Sequence, residues 1–253
     1  MINRKFLKRI GYVTDQKGII NRYIEEQENW SSHLNNSRQT VLDFCSRVDT
    51  EKLTIFGSGW LLDLPVYDLI PRFRKIELID VYHPRQIRKK LGKFDNVEFT
   101  CTDLTGNGIE VVGNWLKKAG SVESIEGIEI FPYSPPDKSG SFVSLNLLNQ
   151  LDNILLDPIQ NKLNLGSEFL IPLRAKIQKA HLDLLQTLKS CLITDVNEKI
   201  YGKKGLEETR DLVFVAIPKG VNQKSWNWIF DTRGAYYPGK RVEFSVQANM
   251  YNI

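Results

Sequence analysis

Between Leu53 and Cys101 short β-rich runs alternate with helical patterns, and this alternation constrains the fold more than any other feature of the chain. Leu53-Thr54-Ile55-Phe56 stops at Gly57-Ser58-Gly59, and Trp60 to Ile70 then carries a helical pattern ended by Pro71. Ile76 to Val81 reads as a second strand, Pro84 to Leu91 as a short basic helix and Val97 to Cys101 as a third strand. Such a βαβαβ series implies an α/β fold with a parallel sheet and right-handed crossovers.

On either side of this series the period changes. From about Asp15 to Val48, Trp30, Leu34, Ser37, Val41, Phe44 and Val48 recur at alternating four- and three-residue steps, which predicts one amphipathic helix. Phe131 to Ser141 concentrates Pro, Ser and Gly and predicts a loop before a fourth strand at Phe142 to Leu145. Leu173, Ile177, Ala180, Leu184, Leu188 and Cys191 trace a further helix that leads into Leu192-Ile193-Thr194-Asp195. Leu212 to Ile217, Trp226 to Phe230 and Val242 to Tyr251 read as strands, with Tyr237 to Lys240 as a hairpin turn. No crossover helix fits between the last two, so an antiparallel pair should close the sheet.

Composition narrows the function classes. The chain has 253 residues, enough for one large α/β domain with an extension, and 42% hydrophobic against 25% charged residues is ordinary globular usage. The longest apolar run, Leu212 to Ile217, is six residues, far short of the roughly 20 that cross a bilayer as a helix. No signal-peptide pattern is legible, so a cytoplasmic protein without a membrane partner is expected. Cys45, Cys101 and Cys191 lack C-x-x-C spacing, and His33, His83 and His181 are far apart, so neither a disulfide framework nor a metal site is expected. A net charge of +4 is too mild to argue for nucleic acid.

The chemistry-bearing residues cluster at strand ends. Gly57-Ser58-Gly59 ends the first strand, where backbone without Cβ atoms can approach a ligand. Asp80, twenty-one residues after Gly59, ends the second strand, where a carboxylate in an open cleft can accept from ribose hydroxyls. Asp103 follows the third strand, within reach of an adenine edge. Here the sequence resembles the class I, Rossmann-like methyltransferases that use S-adenosylmethionine, over Leu53 to Ile253, in IFGSGW, LIDVYH, CTDLTG and SLNLLNQL. It is also similar to an uncharacterised bacterial branch of that group, in GSG-x-L-L-D and N-L-L-x-Q-L.

The resemblance implies a Rossmann-like, mainly parallel sheet flanked by helices and closed by a C-terminal antiparallel hairpin. Residues 49–253 would form that domain and residues 1–48 an N-terminal helical extension. It implies S-adenosylmethionine as cofactor, with Gly57, Ser58 and Gly59 along its amino-acid part, Asp80 at its ribose, Asp103 and Leu104 at its adenine and Asn146 near its methyl group. Asn146, Gln150 and His181 are the candidate catalytic residues, expected to face one cleft beside residues 131–141. Two positions depart from the family pattern. Ile55 stands where an acidic residue is usual and Leu61 where a third glycine is frequent.

Each residue also has a structural reading: a turn for Gly57 and Gly59, a cap or surface carboxylate for Asp80, a turn for Asp103, a core-edge histidine for His181. His83 could border the cofactor or be exposed. Arg85, Arg88, Lys89, Lys90 and Lys93 read as a solvated face. Trp226 and Trp228 alternate on one strand face, as core or as a wall beside the substrate. The absence of an N-P-P-[YF] sequence after the fourth strand disfavours nucleobase and amide acceptors and favours a small molecule. Two other readings stay open. One is an NAD(P)-dependent oxidoreductase, although Leu62 breaks G-x-G-x-x-G; the other is a catalytically silent interaction protein on the same fold.

Overall fold

The structure, a computed structural model, describes residues 7–8, 11–118, 120–122, 124–125 and 127–253. The helices α1 (Tyr12–Glu25) and α2 (Gln27–Cys45) precede the sheet. The single helix expected over this region is thus broken at Glu26, whose carboxylate accepts from the Thr232 backbone N–H at 2.9 Å. The strands follow as β1 (Lys52–Phe56), β2 (Lys75–Asp80), β3 (Val97–Cys101), β4 (Ser141–Leu145), β5 (Lys189–Gly202), β6 (Gly205–Asp211), β7 (Val221–Asp231) and β8 (Arg241–Tyr251). Between them lie α3 (Val66–Leu69), α4 (Arg85–Leu91), α5 (Gly108–Lys117), α6 (Leu148–Leu163) and α7 (Ile171–Gln186).

The sheet order is β3-β2-β1-β4-β5-β8-β7, with β6 pairing off β5. Strands β3, β2, β1, β4 and β5 are mutually parallel, and β8 runs antiparallel to both β5 and β7. This is the Rossmann-like sheet closed by an antiparallel hairpin. The order reverses between β1 and β4, and in open α/β sheets the crevice outside the strand ends at such a reversal is where ligands bind.

Both faces of the sheet are covered, which explains why β1 is buried almost throughout. Leu53, Ile55, Ile76, Leu78, Val143 and Ile193 join one core with Trp30, Val41 and Phe44 of α2 and with Trp228 and Phe230 of β7. Phe56, Ile79, Phe142 and Leu192 join the other with Ile109 of α5, Leu155 of α6 and Ile177 of α7. The stripe seen in the sequence on α2 is therefore the helix's buried face against the sheet.

Two expected elements are corrected. Leu212 to Ile217 is irregular, held across α7 by Gln178, whose amide donates to Leu212 O at 2.8 Å and accepts from Phe214 N at 2.8 Å. The strand lies just before it, in Gly205–Asp211, which is exposed throughout and so carries no apolar alternation. The helix expected from Trp60 is confined to Val66–Leu69, because Leu61 adopts a left-handed φ of 57° and Pro65 stands at the N-cap. Among the described residues no helix is long and apolar enough to cross a membrane.

Candidate functional site

The glycine turn is shaped by what surrounds it. Gly57 continues the β1–β2 ladder, its N–H donating to Ile79 O at 3.0 Å, and then turns with φ 79°. A Cβ there would lie 2.9 Å from Leu145 O and 3.0 Å from Leu147 Cβ, so only glycine fits. Gly59 turns with φ 42°, and its N–H donates to Asp80 Oδ2 at 2.9 Å. Leu61, at the position of the family's third glycine, keeps a backbone that glycine would adopt without strain.

Asp80 is the floor of this turn. It is only 5% exposed, which corrects the expectation of a carboxylate in an open cleft. Besides Gly59 it accepts from Tyr82 N at 3.2 Å and from the Tyr12 hydroxyl of α1 at 2.9 Å. Burial pushes its carboxyl above the ordinary value, against the pull of the Gly59 and Tyr82 amides. Ser58, which lines the cleft, has its hydroxyl 3.3 Å from His83 Nδ1. His83 Nε2 lies 3.0 Å from Thr100 O, a pure acceptor, so the proton sits on Nε2 and Ser58 donates to Nδ1. His83 is buried and is not among the residues that line the cleft.

Asp103 realises the turn alternative. Its carboxylate accepts from Thr105 N at 2.9 Å, from the Thr105 hydroxyl and from Ile109 N at 2.8 Å in the first turn of α5. The side chain orders the loop, and Asp103, Leu104 and Thr105 together still line a cleft with the glycine turn and Asp80. That cleft, about 570 Å³, runs along the carboxyl ends of β1 to β5. Tyr12, Gln16, Ile19 and Arg22 of α1 form its roof, and Trp60 Nε1 ties the turn to that roof by donating to Gln16 O at 2.7 Å.

At the β4–β5 end the cleft is polar and acidic. Asn146, with φ 46°, donates from Nδ2 to Asp63 Oδ2 at 2.6 Å. Burial pushes Asp63 up to about 6, opposed by its own backbone N–H, Asn146 and the Arg38 charge. Asp195, which follows the β4-paired part of β5, is pushed up to about 7 by burial and then by the neighbouring Asp63 charge, with Asn149 opposing. Asn149 Oδ1, Asn146 Oδ1 and Asp195 Oδ1 are buried without a hydrogen-bond partner. Gln150 lines the same cleft and is exposed.

The remaining wall is aromatic. Trp228 stacks on His33 with centroids 3.9 Å apart and meets Trp30 edge-on at 4.7 Å. Trp226 Nε1 donates to His33 Nδ1 at 3.1 Å, and burial pushes His33 down to about 3, so the ring is neutral. Trp226 and Trp228 thus share one face as the alternation implied. Arg22 lies over Phe230 and Tyr236, 4.7 and 4.9 Å from their centroids.

Of the three candidate catalytic residues the structure brings Asn146 and Gln150 together but not His181. His181 Nε2 is 2.8 Å from the Ser144 hydroxyl, its ring packs against Phe56 in the opposite core, and it borders a separate 260 Å³ cavity with Tyr133 and Leu184. Burial pushes it down to about 4. The core-histidine alternative describes its position, away from the cleft that Asn146 and Gln150 line. The residues that the sequence reading did not single out are Asp63, Asp195, Asn149 and Tyr12. A signal existed for two of them: Asp63 closes the GSG-x-L-L-D stretch, and Asp195 is the acid that follows the apolar run Cys191-Leu192-Ile193.

No family model matches the chain, and no curated protein matches it in sequence. Among solved structures it is similar to the N-methyltransferase NodS from Bradyrhizobium japonicum WM9 in complex with S-adenosyl-L-homocysteine, at 10% identity and a TM-score of 0.40, over 85% of this chain and 86% of that one. It is also similar to the DhpI–SAH complex, at 10% identity and a TM-score of 0.36, over 94% and 96%. A third likeness, to the methyltransferase domain of bacterial CtHen1, has 11% identity and a TM-score of 0.37, over 85% and 98%. Scores this low carry no weight on activity or substrate.

Proposed function

We propose that the chain is an S-adenosylmethionine-dependent methyltransferase acting on a small-molecule acceptor. The observation that carries this reading is one continuous cleft at the β1/β4 reversal of a mainly parallel sheet closed by antiparallel β8. It begins at a glycine turn that excludes a Cβ and ends in partnerless buried acceptors. When bound, the cofactor supplies a sulfonium methyl group open to in-line attack.

The residues present fit such a group. The Gly57–Gly59 backbone leaves room for its amino-acid part, and Asp103 to Thr105 edge the opposite, adenine end. Asp80 is placed to accept from a ribose once the Tyr12 hydroxyl yields one of its oxygens. The chain's own contribution is positioning and exclusion of water by the α1 roof and aromatic wall, which for methyl transfer supplies most of the catalysis. A dinucleotide is less well served. No helix begins at the glycine turn, so a pyrophosphate would lack the N-terminal N–H groups and dipole it ordinarily meets.

A thermal-shift comparison of S-adenosylhomocysteine, NAD⁺ and NADP⁺ tests the reading. At about 100 times Kd the homocysteine ligand should stabilise the fold by roughly 2.7 kcal/mol. Stabilisation by a nicotinamide nucleotide alone would overturn it in favour of an oxidoreductase, and by none of the three in favour of an interaction protein.

A further inference from the structure

We infer that the acceptor is an amine, bound as its ammonium form against Asp195, Asp63, Asn146 and Asn149, with Asp195 taking the proton that must leave nitrogen before transfer. The inference rests on the methyltransferase reading and adds the substrate class. Two independent observations carry it. The first is charge: among the described residues the cleft is lined by five carboxylates, Asp63, Asp80, Asp103, Asp157 and Asp195, and by one guanidinium, Arg22. Arg22 is stacked over Phe230 and Tyr236, Asp157 is paired with Arg174 at 3.1 Å, and Arg38 opposes only Asp63. Asp103 accepts from the loop it orders, and Asp80 accepts from Gly59 N, Tyr82 N and the Tyr12 hydroxyl at the glycine-turn end of the cleft. Asp195 has no cation partner among the described residues.

The second is the partnerless polar atoms. Asn149 is 8% exposed and Asp195 5% exposed, both line the cleft, and in each Oδ1 has no partner; Asn146 Oδ1 is a third. A buried acceptor without a donor costs free energy unless a ligand satisfies it. The orphaned donors of the cleft, Arg22 Nε and Trp228 Nε1, belong to the aromatic wall instead. Three acceptors at one end call for a group that brings several N–H donors, and an ammonium brings three where a hydroxyl brings one. Aromatic faces from Trp228 and Phe230 on the neighbouring wall suit a cation as well.

The step balances without a further reactant. The ammonium gives one proton to the Asp195 carboxylate, and the nitrogen lone pair forms the new N–C bond. The methyl–sulfur bond breaks with its electron pair left on sulfur, giving a thioether and a methylated ammonium. The Asp195 proton then returns to solvent.

Thermal shift and calorimetry on the full chain, with and without saturating S-adenosylhomocysteine, test this with 2-phenylethylamine, putrescine and ethanolamine against 2-phenylethanol, 1,4-butanediol and 3-phenylpropionate. Binding of at least one amine, tenfold or more tighter than its hydroxyl counterpart, is expected. Asp195→Asn, checked for an unchanged fold by circular dichroism, should lose that preference while keeping S-adenosylhomocysteine affinity within about threefold. Methylation by the loaded protein should fall with it. If S-adenosylhomocysteine binds and no amine does, or the hydroxyl or carboxylate probes bind equally well, the inference fails and the methyltransferase reading stands. It also fails if Asp195→Asn weakens S-adenosylhomocysteine as much as the amine, because the acceptors then hold the cofactor's own ammonium. Absence of S-adenosylhomocysteine binding to the unaltered protein is the separate failure of the methyltransferase reading.

Discussion

Asp195 shows what burying a carboxylate costs the fold. Its carboxyl is pushed up to about 7 in the folded state, whereas in the unfolded chain it ionises near its ordinary 3.8. Below that lower value both states hold the proton and the residue is neutral to stability. As pH rises towards 7 the unfolded state alone releases it, so stability falls, and above 7 the loss is complete. Asp195→Asn cannot ionise and escapes this loss. Relative to the unaltered protein it should gain on the order of 2–4 kcal/mol between pH 4 and pH 8, about 1.4 kcal/mol for each tenfold difference in proton affinity between the two states. Denaturant titrations at the two pH values check it, and an equal effect at both would show that burial of Asp195 carries no penalty. Asp80 behaves differently, because its oxygens hold Gly59 N–H, Tyr82 N–H and Tyr12. Asp80→Ala should therefore weaken S-adenosylmethionine and S-adenosylhomocysteine together and also destabilise the fold by roughly 1–3 kcal/mol, the cost of orphaned buried donors. Tyr12→Phe isolates the ligand's share: removing the competing hydroxyl should tighten S-adenosylhomocysteine about two- to tenfold, matching a net hydrogen bond of ~0.5–1.5 kcal/mol. Weaker binding by Tyr12→Phe would mean that the hydroxyl serves the ligand rather than competing with it.

At the scale of elements, the two glycines of the turn separate steric need from backbone freedom. Both have left-handed φ, but a Cβ at Gly57 collides with Leu145 O whereas at Gly59 the nearest atom is 3.9 Å away. Gly57→Ala should cost about 2–4 kcal/mol, strain plus displacement of β4, and Gly59→Ala about 1–2 kcal/mol of strain alone. Equal costs in chemical denaturation would remove the contact argument. The strand series was legible because β1, β2 and β4 carry runs apolar enough to be buried and β3 keeps a β-rich alternation between turn signals, and the hairpin because nothing helical fits before Val242. What escaped reading was decided by tertiary context. β6 is polar and exists only by pairing with the extension of β5. α6 contains Pro158 in its interior, which sequence rules read as a break. The helix after the glycine turn failed because Pro65 and the left-handed Leu61 override a favourable apolar spacing. At the site, Gly57, Gly59, Asp80 and Asn146 were legible from strand ends, while Asp63, Asn149 and Asp195 converge only once β4 lies between β1 and β5. His181 follows the helical stripe faithfully; the stripe faces the other side of the sheet.

Across the whole molecule the cleft joins two parts of unequal rigidity. Its aromatic wall belongs to the antiparallel block of β5, β8 and β7, whose long ladders are clamped by α2 through Trp30, with its Nε1 donating to Phe230 O at 2.9 Å. The contacts that tie the roof, α1, to the cleft include Tyr12 to Asp80, Trp60 to Gln16 O, Arg22 over two rings, and Ile19 and Tyr23 packed against the core of α2 and β7. A short helix at the edge of the described structure that is packed on one side only belongs nearer the low end of the local stability range than the central ladders do. On the proposed function, a nucleoside that takes one oxygen of Asp80 from Tyr12 also fills the space beneath the roof, so α1 should be loosened at its first turn and packed more firmly beyond it. Hydrogen exchange with and without saturating S-adenosylhomocysteine would resolve this. Amides of residues 16–25 should exchange at least about tenfold more slowly in the complex, while those of β5 and β8 should slow only as far as global stabilisation requires. If the glycine turn gains protection and α1 does not, the helix is an appendage rather than the roof of the site.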